Sequence, residues 1–367
     1  WRPLRPEGGA KRVVVLILDA LGQNLIQQEE PHLKSVLEQV AIRETITSIF
    51  PSTTVNCLSS MWSGTAPAQH GLIGLHLYFP ELAAVGQMIH FTPRFKRLPD
   101  ALVEAGIKPE TFLPVPSIAQ KFSQVGVNTY AFKGYDIVNS ALSQMHGRGV
   151  AGNYGAFSFA DMLSQMRQLL ETQLQEKMYL CAYWPTIDTL SHHHTTQGQS
   201  TIHELRALFR QIKTVFLDEL SPQARQDTLF FIVADHGQKA YTGEVIEVDE
   251  LPELKELLLI RGAGEPRVPY LYAKQNKVAD LTDYLQRNFA AEISAYPSQL
   301  LLESGLLGPP PFADTVALRM GDITGIMKKG AIFVSDSRDQ WVANVFKSSH
   351  GGLTHDEMYV PWLGFAL

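Results

Sequence analysis

The sequence predicts an α/β fold: a doubly wound, mostly parallel sheet with helices on both faces and a small inserted α+β subdomain. Strand-like and helix-like segments alternate along the chain, as they do where crossover helices cover a parallel sheet. Two strand-like runs, residues 13–18 and 229–234, are continuously apolar and are each followed by an aspartate. That is where an open parallel sheet carries its site. The 367 residues, 45% hydrophobic and 19% charged, suit a globular α/β protein built around one sheet.

Residues 12–18 read as a central strand, because apolar and β-branched residues run without a break. Residues 42–49 alternate and suit a strand with one wetter face, and 54–63 read as a helix whose first turn carries Thr54. A third strand is expected around 127–132. Over 158–175 the apolar residues Phe159, Met162, Leu163, Met166, Leu169 and Leu170 recur at about 3.6, a helical period. A strand at 178–183, a helix at 200–219 and a strand at 228–234 complete one doubly wound unit.

Residues 238–335 have a different texture. The stretch 244–258 is acidic and helix-prone, and 261–266 is turn-rich. Strands at 269–273 and 331–334 flank a helix near 277–288, and Pro309-Pro310-Pro311 marks a loop. The domain reading is a core of 1–237 plus 336–367, with 238–335 an inserted subdomain or elaboration. Gly262 and Gly264 lack the third glycine and the strand–helix setting of a dinucleotide site.

A net charge of −6 without a basic block argues against a nucleic-acid duplex as partner. A small phosphorylated substrate, a nucleotide among the candidates, stays open because a bound cation reverses the local field. Cys57 and Cys181 read as small core residues, with no disulfide framework. No apolar run approaches the roughly 18 residues of a membrane span. The chain opens at Trp1, which fits a removed leader or an artificial start, so cytoplasmic and exported locations both stay open.

Three aspartates and three histidines stand out: Asp19, Asp188, His192, Asp235, His236 and His350. Carboxylate oxygen and imidazole nitrogen suit a pair of zinc ions, other divalent metals being admissible. Two metals about 4 Å apart are a clamp for phosphoryl transfer. In Asp235-His236-Gly237 the glycine lets the chain turn so that both ligands face one crevice. The four-residue spacing of Asp188 and His192 places both on one face of a helix. His350-Gly351-Gly352 alone would read as a surface turn. Thr54, at an apparent helix start, is a candidate nucleophile: metal coordination makes its alkoxide accessible, and free N–H groups there favour a phosphoryl group.

These motifs resemble those of the alkaline phosphatase superfamily, closest to its type I phosphodiesterase/nucleotide pyrophosphatase branch. Phe50-Pro51-Ser52-Thr53-Thr54 resembles that branch's Phe-Pro-Thr-x-Thr, in which the second threonine is the nucleophile. Ser63-Gly64 and His70-Gly71 follow at the family's intervals and select Thr54 over Thr53. The resemblance covers about 12–237 plus 340–360 and implies an alkaline-phosphatase-like fold. It implies one zinc on Asp188, His192 and His350, and another on Asp19, Asp235, His236 and the Thr54 oxygen. His355 is the weaker choice beside His350. Where the branch carries an asparagine that hydrogen-bonds a phosphoryl oxygen, this chain has Leu75, with His76 beside it as a substitute donor. His70 reads as structural.

The implied activity is hydrolysis of phosphate esters through a covalent phospho- or nucleotidyl-threonine, foremost as a phosphodiesterase/nucleotide pyrophosphatase. The alternatives are a phosphomonoesterase or phosphonate hydrolase of the same superfamily, and a non-catalytic binding member. Tyr78, Phe79, Lys133, Tyr135 and Trp184 are candidate substrate contacts; Arg94, Arg97 and Lys133 are candidate cations for a monoester's extra charge.

Overall fold

Successive residues of the strand Arg12–Leu18 face opposite sides of a sheet, and both sides are apolar. Val14, Leu16 and Leu18 pack with the helices Gln23–Leu37, Phe159–Thr172 and Gln199–Gln211 on one face. Val15 and Ile17 pack with Leu58 and Trp62 of the helix Thr54–Ser63 on the other. The sheet is therefore buried on both faces, which explains its uninterrupted apolar strands. The computed structural model describes residues 9–96, 98–336 and 340–367. Arg97 lies outside the described residues.

Among the described residues the central sheet has seven strands. Their order is Ile42–Thr47, Tyr359–Ala366, Thr228–Val233, Arg12–Leu18, Met178–Trp184, Asn128–Gly134 and Gly152–Ala156. The last five are mutually parallel, and Tyr359–Ala366 runs antiparallel to both its neighbours. This is the mostly parallel α/β sheet expected. The helix expected over 200–219 is α-helical over Gln199–Gln211 and continues as a π-helical turn, Ile212–Leu217.

A second, antiparallel sheet abuts the first. Its strands run in the order Ile293–Pro297, Ile323–Met327, Pro269–Ala273, Leu258–Gly264, His76–Phe79, Ala84–Gln87 and Thr92–Pro93. The region 238–335 thus shares one sheet with 76–93. Residues 261–264, expected to turn, form the end of a strand with two register shifts, and the chain turns only at Glu265–Val268. Gly262 and Gly264 are accommodated by those irregularities, since a bulged strand tolerates residues without a side chain. The acidic stretch 244–258 divides into a strand, Val245–Glu247, a 3₁₀ turn and the short helix Pro252–Leu257.

Candidate metal centre

Three neighbouring parallel strands end at one edge of the central sheet. Asp19 follows the first strand, Asp188 lies in the helix Thr186–His194 after Met178–Trp184, and Asp235-His236 follows Thr228–Val233. The helix Thr54–Ser63 covers the Val15/Ile17 face and so delivers Thr54, its first residue, to the same edge. His350 arrives from the far end of the chain, on a turn held by pairing of Lys239–Ala240 with Ser348–Ser349 and of Ser52 with Gly351. All seven predicted site residues come together.

Their geometry is that of a cradle for cations. Each of the three imidazoles turns Nδ1 to a backbone carbonyl: His192 to Ser348 at 2.8 Å, His236 to Gly237 at 3.0 Å and His350 to Ser52 at 3.2 Å. Nδ1 must therefore carry the proton, which leaves Nε2 as a lone pair directed inward. The Nε2 atoms of His192 and His350 lie 3.3 and 3.6 Å from Asp188 Oδ1. His236 Nε2 lies 3.4 Å from Asp19 Oδ1, 3.5 Å from Asp235 Oδ2 and 3.1 Å from Thr54 Oγ1. Thr54 Oγ1 is also 3.4 Å from Asp19 Oδ2.

Two groups of converging ligand atoms result, Asp188 with His192 and His350, and Asp19 with Asp188 and His236. Asp235 borders the second group; its Oδ1 accepts from the N–H groups of Ala20 and His236 at 3.2 and 3.0 Å. Asp19 Oδ1 and Asp235 Oδ2 are buried and accept no hydrogen bond from any described residue. Orphaned carboxylate oxygens are costly in a protein interior unless a cation completes them, so the donor set fits the metals that the motifs imply.

The electrostatics agree. Burial first, and then the carboxylates of Asp235 and Asp188, push Asp19 well above the usual carboxylate range, against the Tyr183 hydroxyl that donates to it. Burial raises Asp188 as well, but the imidazoles of His192, His350 and His236 outweigh it and hold its carboxyl below that range. His192 loses basicity to burial and regains more from Asp188. Burial, with the His236 ring stacked at 3.9 Å, keeps His350 neutral far below its ordinary value.

Two supporting residues escaped sequence reasoning. Gln238 donates to the Asp188 carboxylate and to its backbone carbonyl at 3.1 Å; its place directly after Asp-His-Gly was the available signal. Tyr183 sits in an apolar strand, where nothing marks its hydroxyl as different from core. His70 is buried, with Nδ1 accepting from Leu72 N–H at 3.1 Å and Nε2 2.9 Å from Ser60 Oγ. That environment suits a structural histidine. His355 is exposed, its ring tilted against that of Tyr359 with centroids 4.0 Å apart.

A cleft of about 600 Å³ opens onto the centre. Thr53, Thr54, Asp188, His192 and His350 form its floor, with walls from Leu75, His76, Ile89, Arg94, Glu265, Phe333 and Phe346. Of the described candidate substrate contacts and cations, only Arg94 lines it, donating to Gly262 O at 2.8 Å. The others lie elsewhere. Phe79 and Tyr78 pack in the second sheet's core, Trp184 against Phe159 at 5.6 Å, and Tyr135 on Phe157 at 4.5 Å. Lys133 is buried, donating to Ser143 Oγ at 2.9 Å.

The family described as type I phosphodiesterase / nucleotide pyrophosphatase matches residues 13–353. Murine ectonucleotide pyrophosphatase/phosphodiesterase 5 superposes with a TM-score of 0.70 at 16% identity, covering 96% of this chain and 87% of that one. The same murine protein has been solved as an inactive variant in complex with AMP. Phosphonoacetate hydrolase from Sinorhizobium meliloti 1021, in complex with phosphonoformate, superposes with a TM-score of 0.66 at 18% identity, covering 99% and 90% of the two chains. These likenesses establish the fold. A sequence search of curated proteins finds no match.

Proposed function

The chain belongs to the type I phosphodiesterase/nucleotide pyrophosphatase family, and from that premise we propose a two-zinc phosphodiesterase with Thr54 as nucleophile. The observation that carries this reading is the inward convergence of three Nδ1-anchored imidazoles, the buried Asp19 and Asp235, the half-buried Asp188 and the Thr54 hydroxyl. Asp188, His192 and His350 would hold one zinc, and Asp19, Asp235, His236 and Thr54 Oγ1 the other. Such ions supply Lewis acidity, easing loss of the threonine proton and offsetting charge on the phosphoryl oxygens.

The chain's own groups do the rest. Thr54 Oγ1 attacks phosphorus in line; its new P–O bond forms as the bond to the leaving oxygen breaks, leaving a phosphothreonine diester or monoester. Because Thr54 is the first residue of its helix, backbone N–H groups without helical partners face the incoming phosphoryl oxygens. Water then attacks the same phosphorus and restores the hydroxyl. Two inversions give net retention.

The test compares a nitrophenyl phosphodiester with its monoester, before and after a chelator and after added zinc. Diester-preferring activity that the chelator abolishes and zinc restores is the expected result. Chelator-resistant turnover would overturn the metal assignment, and a monoester preference would move the protein to the phosphatase side.

A further inference from the structure

Glu265 follows the strand Leu258–Gly264 and is buried, 5% exposed, yet it lines the cleft beside Thr53, Thr54 and His76. Its Oε1 accepts the Leu75 N–H at 2.5 Å, and its carboxylate also receives the Thr53 hydroxyl. Leu75 stands where the diesterase branch has its asparagine. It therefore offers a main-chain donor to Glu265 instead of a side-chain donor to the substrate. Two residues on, the Arg267 guanidinium is held by Glu357 at 2.9 and 3.0 Å and by the Ala331 carbonyl at 2.6 Å. Among the described lining residues, Arg94 is the single Arg or Lys.

A carboxylate held next to the nucleophile discriminates by charge. A phosphate monoester is largely a dianion above a second pKa of about 6, whereas a diester carries one charge. We propose that Glu265 is a specificity-determining residue, whose carboxylate beside Thr53 and Thr54 disfavours dianionic phosphomonoesters relative to singly charged diesters. The proposal rests on the diesterase reading above and refines its substrate class. Burial holds the Glu265 carboxyl at about 7 despite the hydrogen bonds from Thr53 and Leu75, so the charge is complete in an assay at alkaline pH.

Glu265→Gln removes the charge while keeping the side chain's size and an oxygen for Leu75. The kcat/KM values for the nitrophenyl diester and monoester are measured in both proteins at about pH 9, with bound zinc and thermal midpoint alongside. The monoester-to-diester ratio is expected to rise about tenfold, through a monoester kcat/KM that itself increases. Structural damage would lower both rates and leave the ratio in place. An unchanged ratio overturns the proposal while the diesterase reading stands; a wild type inert towards both esters removes that reading and the proposal with it. Glu265→Asp supplies the second check. It retains the charge and should keep the wild-type ratio, so a ratio shifted as far as in the Gln variant shows a steric effect and overturns the charge argument.

Discussion

Lys133 shows how a single buried charge shapes this protein. Its ammonium lies 5.4 Å from the centre of the Trp62 ring, on the helix Thr54–Ser63, and donates to Ser143 Oγ. Burial lowers its pKa from 10.5 to about 8. Between those values the unfolded chain binds a proton that the folded chain has lost, so this contribution to stability rises with pH. The penalty is fully present below pH 8 and is gone above about 10.5, with a ceiling of about 3 kcal/mol. Lys133→Met should therefore raise the thermal midpoint at pH 7, and its advantage over wild type should shrink as pH rises from 8 to 10. A pH-independent difference would contradict the assignment. At this scale Asp19 and Asp235 were legible because each directly follows an apolar run. Glu265 was not: its burial depends on the approach of Thr53 and Leu75, which lie about two hundred residues away.

Among the elements, the turn that carries His350 depends on a buried ion pair. Glu357, in the short helix His355–Met358, receives Gly352 N–H at 2.8 Å and the Thr354 hydroxyl at 2.6 Å, and pairs with Arg267 from the second sheet's side. Removing one partner of such a pair leaves an uncompensated charge, at a cost of about 3–5 kcal/mol. Arg267→Met should lose that much stability in a urea titration and bind zinc less tightly, because the His350 turn loosens. Adding Glu357→Gln should restore part of the stability. A single variant within about 1 kcal/mol of wild type would contradict the argument. Strands 12–18, 178–184 and 228–233 could be read locally, since apolar runs record burial on both faces. The strand Tyr359–Ala366 could not, because Pro361 argues against a central strand. The fold resolves this by pairing the strand with Thr228–Val233 only from Trp362 onward. The strands His76–Phe79 and Ala84–Gln87 are short, and the first of them gains its partner Leu258–Gly264 only through long-range closure.

At the scale of the molecule, the site lies where two sheets meet. The parallel sheet supplies Asp19, Asp188 and Asp235 from the ends of adjacent strands, while the antiparallel sheet and its turns supply Leu75, His76, Arg94 and Glu265 as cleft walls. The candidate ligands were therefore readable from short motifs, since each one's setting is local. Specificity was not, because the walls are assembled from segments far apart in the chain. The central claim concerns Thr54, and the most direct measurement is the zinc content and diester turnover of Thr54→Ala, determined on one preparation beside wild type. Zinc close to the wild-type amount with turnover reduced by about 10³-fold or more is the predicted result. Near-normal turnover with zinc retained would contradict the account and place the nucleophile elsewhere.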